Sequence, residues 1–324
     1  NTEHYKMTIQ PDEPERIRDM VHHLDEPFAD ASFIPASYVS ELASRHVKTV
    51  NTGDGADESL GGYEWYRAFR YALTYNQFPG WTRSLLNVLG RCLPHVEARE
   101  GWIQNIRRFK TFTERLSEPS DHPLDLFHNL MGSESEHYKT FKKILKDPGM
   151  LNQNYRDQRR TIYDEYDGDN PLEGIMYTQM RTLLPDLFFT KIDRMSMMHS
   201  LEARSPFADH ELQEFLARLP LQYKNQGQTG KYILKKVAER YLPNNVIYRQ
   251  KMGFSIPIGR WMREGPYREF TRDILGSRAF KNRGLFDVGA VQELMEEHES
   301  GKKDHWTTLW PVLCLELWYQ ECHD

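Results

Sequence analysis

The segment Val47–Tyr66 constrains the fold of this chain more than any other part of the sequence. It opens with Val47–Asn51, whose length and composition predict a buried parallel strand. Two glycines, Gly53 and Gly55, follow and allow a tight turn and the close approach of a ligand. We expect a helix after Gly61-Gly62. The loop would then lie at the carboxyl end of a strand, which is where ligands bind in open α/β sheets.

The loop between the predicted strand and helix is acidic. Asp54, Asp57 and Glu58 place three carboxylates within five residues. Such a cluster can supply hard oxygen ligands for Mg²⁺, with the remaining ligands provided by a phosphate-bearing substrate. It can equally be a polar strand-to-helix connection, because acidic residues favour helix N-termini. The sequence of this loop alone leaves both interpretations open.

Composition limits the classes of protein to which the chain can belong. A formal net charge of -5 over 324 residues gives no reason to expect nucleic acid or an anionic membrane as a partner. The sequence contains no apolar run long enough to span a bilayer. Its cysteines, Cys92, Cys314 and Cys322, lack metal-binding spacing, which indicates a reducing compartment. We therefore expect a cytoplasmic protein.

The predicted order of helix, strand, loop and helix around Val47–Asn51 resembles part of a doubly wound sheet. Apolar residues recur at helical spacing in Pro14–Leu24, and a second helix is predicted over Pro35–Arg45. Gly230–Leu242 is predicted to be an amphipathic helix with Tyr241 on its buried face. We divide the chain, as one domain, into a sheet region (1–75), a helical excursion (76–170) and a second helical part (171–324).

Two further segments contain charged residues that could have a structural or a ligand-binding role. Leu184–Pro220 alternates acidic and basic residues, namely Asp193, Arg194, Glu202, Arg204 and Asp209. In an apolar neighbourhood these charges must pair, so we interpret them as a buried ion-pair network that fixes a helix junction. Arg249–Phe254 is a basic, glycine-containing loop that includes Lys251. A cation on such a loop can close over a phosphate, whereas most surface lysines bind nothing specific.

Four separated motifs, taken together, resemble the synthetase domain of the asparagine synthetase family. Their order and spacing match that family from the first residue to about Trp261. The motifs are Asp25-Glu26-Pro27 with Asp30, Thr52–Glu58 with Gly61-Gly62-Tyr63, Asp193–Met197 with Leu201–Phe207, and Gly230-Lys231-Tyr232 with Lys251–Phe254. The resemblance implies an α/β fold of the adenine nucleotide alpha hydrolase (ATP-pyrophosphatase) type. Its parallel sheet would be N-terminally incomplete here and followed by a large, mainly helical C-terminal part.

The resemblance also implies an activity. In that family a carboxylate attacks the α-phosphorus of MgATP, which gives an acyl-adenylate and pyrophosphate. Ammonia derived from glutamine then displaces AMP and forms the amide. We therefore expect small-molecule substrates, with aspartate as the carboxylate, ATP and Mg²⁺ as cofactors, and a glutaminase domain upstream as the source of ammonia. Assembly into a homodimer is left open.

The family's motifs assign binding residues position by position. Thr52 and Gly53 match the Ser-Gly pair that contacts ATP through main-chain and hydroxyl groups. Lys231 is a further candidate for the phosphate region. Asp57 matches a carboxylate at the magnesium and the substrate, where oxygen ligands and negative charge are required.

Two more residues are assigned to the chemistry itself. Asp54 stands where many members of the family have Glu, near the substrate amino group and the attacking nitrogen. Lys251 matches the catalytic lysine that offsets the charge developing as pyrophosphate leaves. A single electrostatic contact of this kind can supply a large part of a rate enhancement.

The chain also departs from the family's pattern. The pyrophosphate-binding loop Ser-Gly-Gly-x-Asp-Ser does not occur in the sequence, so we expect the chain by itself to be inactive. Because Asp54 replaces Glu, a second interpretation stays open. The protein would then be a relative that amidates or cyclises another carboxylate, such as a β-lactam-forming synthetase. A third alternative is a binding module that keeps the fold without catalysis. The presence of both Asp57 and Lys251 favours the enzymatic interpretations.

Overall fold

The computed structural model describes residues 3–93, 102–116, 120–150, 154–227, 229–250 and 253–323, with the backbone alone for residues 102–104, 133–138 and 154–155. Helices dominate this part of the chain. Up to residue 164 the elements are α1 (Arg16–Leu24), α2 (Phe33–Ser44), β1 (Thr49–Asn51), α3 (Ala56–Ser59), α4 (Glu64–Asn76), α5 (Gly80–Cys92), α6 (Trp102–Arg115), α7 (Pro123–Met131), α8 (Ser133–Ile144) and α9 (Asn154–Asp164).

From residue 171 onward they are α10 (Pro171–Arg181), α11 (Thr190–Met197), β2 (Glu202–Arg204), α12 (His210–Arg218), α13 (Leu221–Lys224), β3 (Asn225–Gln226), β4 (Thr229–Gly230), α14 (Tyr232–Ala238), α15 (Asn244–Ile247), α16 (Ile258–Trp261), α17 (Pro266–Gly276), α18 (Arg278–Arg283), α19 (Val288–Glu299) and α20 (Trp306–Trp318). Single 3-10 turns lie at Pro148–Met150 and Pro206–Ala208, and π-helical turns lie at Leu184–Phe189 and Tyr319–His323.

The predicted strand exists, is parallel and precedes the glycine loop. β1 pairs with β2, with Thr49 opposite Glu202 and Asn51 opposite Arg204. The prediction that this strand is buried is wrong, because Thr49 and Asn51 are exposed and no other described strand lies beside β1. The parallel sheet is therefore confirmed only as this pair in a mostly helical α/β chain. The adenine nucleotide hydrolase type of fold stays a prediction.

Periodicity located the early helices well and one later helix poorly. α1 buries Ile17, Met20, Val21 and Leu24, one helical face of the predicted segment. α4 begins at Glu64, directly after the Gly61-Gly62-Tyr63 turn. The prediction for the amphipathic helix after Gly230 is wrong at its end, since α14 stops at Ala238 and Tyr241 is 78% exposed. None of the helices in the described ranges is long and apolar enough to cross a membrane.

The larger of two hydrophobic cores joins the two ends of the chain. This major core packs α1 and α2 against α17 and α20, and its buried residues include Phe33, Leu309, Trp310 and Leu313. Phe33 stacks on Trp310 with ring centroids 5.8 Å apart, and the Trp310 indole N–H donates to the Ala29 carbonyl at 2.9 Å. The segment that follows α1 is thereby fixed against α20.

A second, minor core lies behind the glycine loop. It packs α4 against α7 and α10, with Tyr66, Phe69, Leu124 and Ile175 among its buried residues. Phe69 meets Phe127 edge to face at 5.6 Å. Because α4 starts immediately after the Gly61-Gly62-Tyr63 turn, this core holds the C-terminal end of the loop region in place.

Candidate functional site

The glycine loop Thr52–Glu58 leaves β1 at the carboxyl end of the strand. The Thr52 amide donates to the Arg204 carbonyl at 2.7 Å and so extends the parallel pairing by one residue. The Ser205 hydroxyl donates to the Asp54 carbonyl at 2.5 Å. Gly55 has φ of 89°, a left-handed conformation that would be strained for a residue with a side chain, and it lies against Phe207. The β2 strand and the residues after it thus shape the loop.

Asp57 and Lys231 form an ion pair at the end of this loop. The distance from Lys231 Nζ to Asp57 Oδ1 is 2.9 Å, and the side chains are 25% and 17% exposed, respectively. Lys231 adopts a left-handed backbone conformation with φ of 53°, and its amide donates to the Leu60 carbonyl at 2.9 Å. Two residues from different motifs, 174 positions apart in sequence (231 minus 57), therefore contact each other.

The β3–β4 hairpin carries Lys231 to the loop because two glycines permit close approach. The Asn225 side-chain amide donates to the Gly61 carbonyl at 3.0 Å. A Cβ on Gly230 would overlap the Gly61 carbonyl, and a Cβ on Gly62 would overlap both the Asp57 carboxylate and the Lys231 side chain. Close packing around the ion pair therefore leaves no room for a side chain at Gly62 or Gly230.

Glu58, the third carboxylate of the motif, points into the protein. It is 1% exposed and accepts a hydrogen bond from the Tyr63 hydroxyl. Burial raises the pKa of the Glu58 carboxyl above its ordinary value, although the hydrogen bond from Tyr63 acts in the opposite direction. Glu58 therefore supports the loop from beneath and does not present its carboxylate to a ligand.

A cavity of about 640 Å³ opens beside Lys231, and we call it the second cavity. It is rich in cations, since Arg67, Lys231, Lys235 and Arg249 all line it, against one carboxylate, Glu64. Burial and the neighbouring Lys231 charge lower the pKa of the Lys235 ammonium. The arrangement suits a ligand that carries several negative charges.

Another cavity, of about 620 Å³, opens beside Thr52 at the start of the loop, and we call it the first cavity. It collects residues from three of the four motifs, namely Asp25, Glu26, Thr52, Asp193, Arg194 and Ser205. The Thr52 hydroxyl is buried and makes no hydrogen bond to any described residue. Nothing lies within 4 Å of the position that a Cβ on Gly53 would take, so there is open space beside the loop. The start of the glycine loop thus lines the first cavity, whereas the Gly61-Gly62-Tyr63 turn that follows the loop lines the second.

A partly buried ion pair that the sequence did not reveal joins two segments that line the first cavity. Lys191, with its side chain 9% exposed, donates to Asp30 Oδ2 at 2.9 Å and to the Ser32 hydroxyl at 2.7 Å. Burial acts to raise the pKa of Asp30, but the Lys191 charge and the hydrogen bonds from Ser32 and Lys191 lower it below its ordinary value. The pair ties the segment after α1 to α11. Asp30 belonged to a motif, but no periodicity or spacing identified Lys191 as its partner.

The expected buried ion-pair network is not present. Asp193, Arg194, Glu202, Arg204 and Asp209 are all exposed. Of these charges, Glu202 and Arg204 pair at 2.9 Å at the surface, where such pairs stabilise little. The prediction was wrong because the strand that carries two of these residues is itself exposed.

The structure brings together most of the residues predicted for the site. Thr52, Gly53, Asp54 and Asp57 share the glycine loop, and Lys231 contacts its end. Lys251 lies outside the described residues. Ser205 was part of a motif without an assigned role, and its hydroxyl contact with Asp54 could not be read from sequence spacing.

Among the residues that the structure describes, no group of three or more His, Cys, Asp or Glu side chains could hold a metal ion by itself. Mg²⁺ is commonly held by one or two carboxylates together with substrate phosphates, so Asp57 at the loop is compatible with that mode of binding. An all-protein metal cage does not occur in the described part of the chain.

The sequence that forms this loop and its surroundings matches a known family of enzymes. A sequence model of asparagine synthase matches residues 1–320. The chain therefore belongs to the asparagine synthase family.

Curated relatives carry related names. The chain is 31% identical over 304 residues to a putative glutamine-hydrolysing asparagine synthetase of Mycobacterium tuberculosis, a match that covers 94% of this chain and 44% of the relative. It is 29% identical over 318 residues to glutamine-hydrolysing asparagine synthetase 1 of Bacillus subtilis, covering 98% and 47%. It is 22% identical over 290 residues to amidase chry2 of Gibberella zeae, covering 87% and 43%. The chain thus spans less than half the length of these relatives.

Proposed function

We propose that the protein containing this chain forms amides with ATP through an acyl-adenylate, and that it converts aspartate to asparagine. Ammonia from glutamine supplies the nitrogen, and AMP and pyrophosphate are released. The observation that carries the proposal is the Asp57–Lys231 ion pair beside the cation-lined second cavity. A triphosphate with Mg²⁺ calls for this combination, because cations offset the phosphate charge and a carboxylate binds the metal.

The proposed nucleotide site uses the glycine loop as its centre. Lys231 faces the phosphate region in the second cavity together with Lys235 and Arg249. Thr52 offers a hydroxyl without a partner among the described residues, and the open space beside Gly53 admits a nucleotide close to the main chain. Asp57 is the residue proposed to hold Mg²⁺, which when bound would neutralise charge on the phosphates.

Two further residues are proposed to act in the two steps of the reaction. The substrate carboxylate attacks the α-phosphorus, and the bond to pyrophosphate breaks. Lys251 is proposed to offset the charge that develops on the departing pyrophosphate. Ammonia attacks the acyl carbon and AMP leaves, with Asp54 proposed to lie near the substrate amino group and the attacking nitrogen.

A second candidate function is amidation of a different carboxylate by the same chemistry. Asp54 stands where many members of the family have Glu, and a one-carbon change in length beside a substrate alters which substrate fits. Two of the relatives are named amidases. The two candidates differ in the acid that is activated and share the proposed roles of Asp57 and Lys251.

The full-length protein should catalyse carboxylate-dependent exchange of pyrophosphate into ATP, with aspartate as the best carboxylate. Exchange supported by another acid while aspartate is inert would assign the second candidate. Absence of exchange with every carboxylate in a broad panel would contradict both and support a binding module. Residues 1–324 by themselves should make little asparagine, and robust ammonia-dependent synthesis by that chain would show that the missing phosphate loop is dispensable.

A further inference from the structure

A third cavity, of about 620 Å³, lies between α4, α6 and α7. Its size falls in the range that holds a small organic ligand. The first turns of α4 separate it from the second cavity, and Glu64 and Arg67 line both. No motif of the sequence points to this cavity, and the proposed reaction does not use it.

Arginines bring unpaired positive charge to the third cavity. Arg67, Arg107 and Arg108 line it, and within the described ranges none of their guanidinium groups forms an ion pair or a hydrogen bond. Arg115 also lines it but already donates to the Leu130 carbonyl at 3.0 Å. Glu64 is the one carboxylate among the lining residues. In a chain of net charge -5, such a local excess of cations indicates an anionic ligand.

Aromatic rings form the apolar part of the same cavity. Trp65 is held by stacking on Tyr63 at 4.0 Å, and Phe112 by an edge contact with Tyr75 at 5.5 Å. These two rings form a fixed wall. Tyr71 and Phe109 also line the cavity and are 56% and 39% exposed, so their ring surfaces are available to a ligand.

We propose that the third cavity binds a flat aromatic anion of the aryl carboxylate class. The ring lies among Trp65, Tyr71 and Phe109, and the carboxylate pairs with Arg107 and Arg108. Guanidinium groups match carboxylates through paired hydrogen bonds and also stack on aromatic rings, so one ligand satisfies both features of the lining. A neutral ring would leave the cations unpaired, and an aliphatic anion would leave the rings in water.

Isothermal titration calorimetry on the full-length protein tests this assignment without requiring catalysis. The probes are 2-naphthoate, 2-naphthalenemethanol as the neutral ring, and octanoate as the anion without a ring. 2-Naphthoate should bind most tightly. Arg107→Gln and Arg108→Gln should each weaken it about fivefold, the scale of one partly exposed charge contact. Arg218→Gln on α12 is the matched control, since that side chain is 81% exposed, and it should leave the affinity unchanged.

Each departure from that pattern overturns a defined part of the inference. No binding of 2-naphthoate, or equal affinity for the neutral ring, overturns the anion site. Tighter binding of octanoate overturns the aromatic part, as does unchanged 2-naphthoate affinity in Tyr71→Ala. Full affinity in the Arg107→Gln/Arg108→Gln double variant shows that the probe binds elsewhere. Both arginines are exposed, so circular dichroism should confirm that the variants remain folded.

Discussion

Asp57 and Lys251 are proposed to act at different moments, which kinetics can separate. Asp57→Asn should weaken MgATP binding and lower the rate, with partial rescue by excess metal, because the proposed Mg²⁺ ligand would hold the triphosphate both before and during the reaction. Lys251→Ala should keep the KM for ATP within a few-fold and lower turnover about a hundredfold, the scale of one lost electrostatic contact. Steady-state kinetics with ammonia as nitrogen donor measures both. A raised KM with normal turnover in Lys251→Ala would show that the lysine only binds.

Gly62 tests whether the Asp57–Lys231 geometry matters for the nucleotide. A methyl group there would overlap both side chains of the pair, so Gly62→Ala should move them apart and weaken MgATP binding. Gly276→Ala is the matched control, because no atom lies within 4 Å of its added Cβ. Calorimetric titration with MgATP and thermal unfolding should be compared for both variants. Unchanged nucleotide affinity in a folded Gly62→Ala protein would remove the pair from the nucleotide site.

The buried carboxyl of Glu58 predicts a defined pH dependence of stability. Its pKa is higher in the folded than in the unfolded protein, because burial disfavours the ionised form. Its contribution is therefore complete below the unfolded pKa and is lost as pH rises through the folded pKa. Glu58→Gln stays neutral and keeps an acceptor for Tyr63. The urea midpoint of Glu58→Gln should therefore rise relative to that of the wild type as the pH increases above the unfolded glutamate pKa of about 4.

The control for this substitution is Glu64→Gln, which removes an exposed carboxylate from the first residue of α4. It should follow the wild-type pH profile. A Glu58→Gln profile that runs parallel to the wild type would mean that Glu58 titrates alike in the folded and unfolded states.

Strand β1 presents an open edge. The Glu202 amide donates to the Lys48 carbonyl at 2.9 Å, and the Thr52 amide donates to Arg204, so alternate residues of this strand face β2. The backbone groups of Thr49 and Asn51 then face the opposite side, where the described part of the chain places no strand. Such an edge favours pairing with another chain.

Residues 1–324 by themselves should consequently self-associate, and Thr49→Lys should reduce the association because an edge charge opposes strand pairing. Thr74→Lys adds the same charge on an exposed position of α4 and should not reduce it. Sedimentation velocity over a range of concentrations measures the effect. A monomeric chain that unfolds in one cooperative transition would show that the edge is protected.

Sequence patterns correctly predicted the elements whose signals lie close together in the sequence. The face of α1 and the turn before α4 were predicted because their signals are local. Tyr241 was misplaced because amphipathic spacing identifies a face without saying what covers it. The partnership of Lys191 with Asp30 depends on the packing of α11 beside the segment after α1, which no local signal contains.

The chain as a whole is built on two hydrophobic cores that share no buried residue among those described. The major core closes around the first and last helices, whereas the minor core is formed by the middle of the chain. The glycine loop and the Asp57–Lys231 pair lie next to the minor core through α4. The rigidity of the proposed nucleotide site therefore depends more on α4, α7 and α10 than on α17 and α20.

Hydrogen exchange should show the two cores as separate units of opening. Leu124→Ala in the minor core and Leu313→Ala in the major core remove the same atoms from side chains that are 2% and 0% exposed. Each should cost about 2–5 kcal/mol of unfolding free energy. In Leu124→Ala the amides of α4, α7 and α10 should lose protection while those of α17 and α20 keep theirs, and Leu313→Ala should show the reverse. Equal loss of protection throughout the chain in both variants would mean that the cores unfold as one unit.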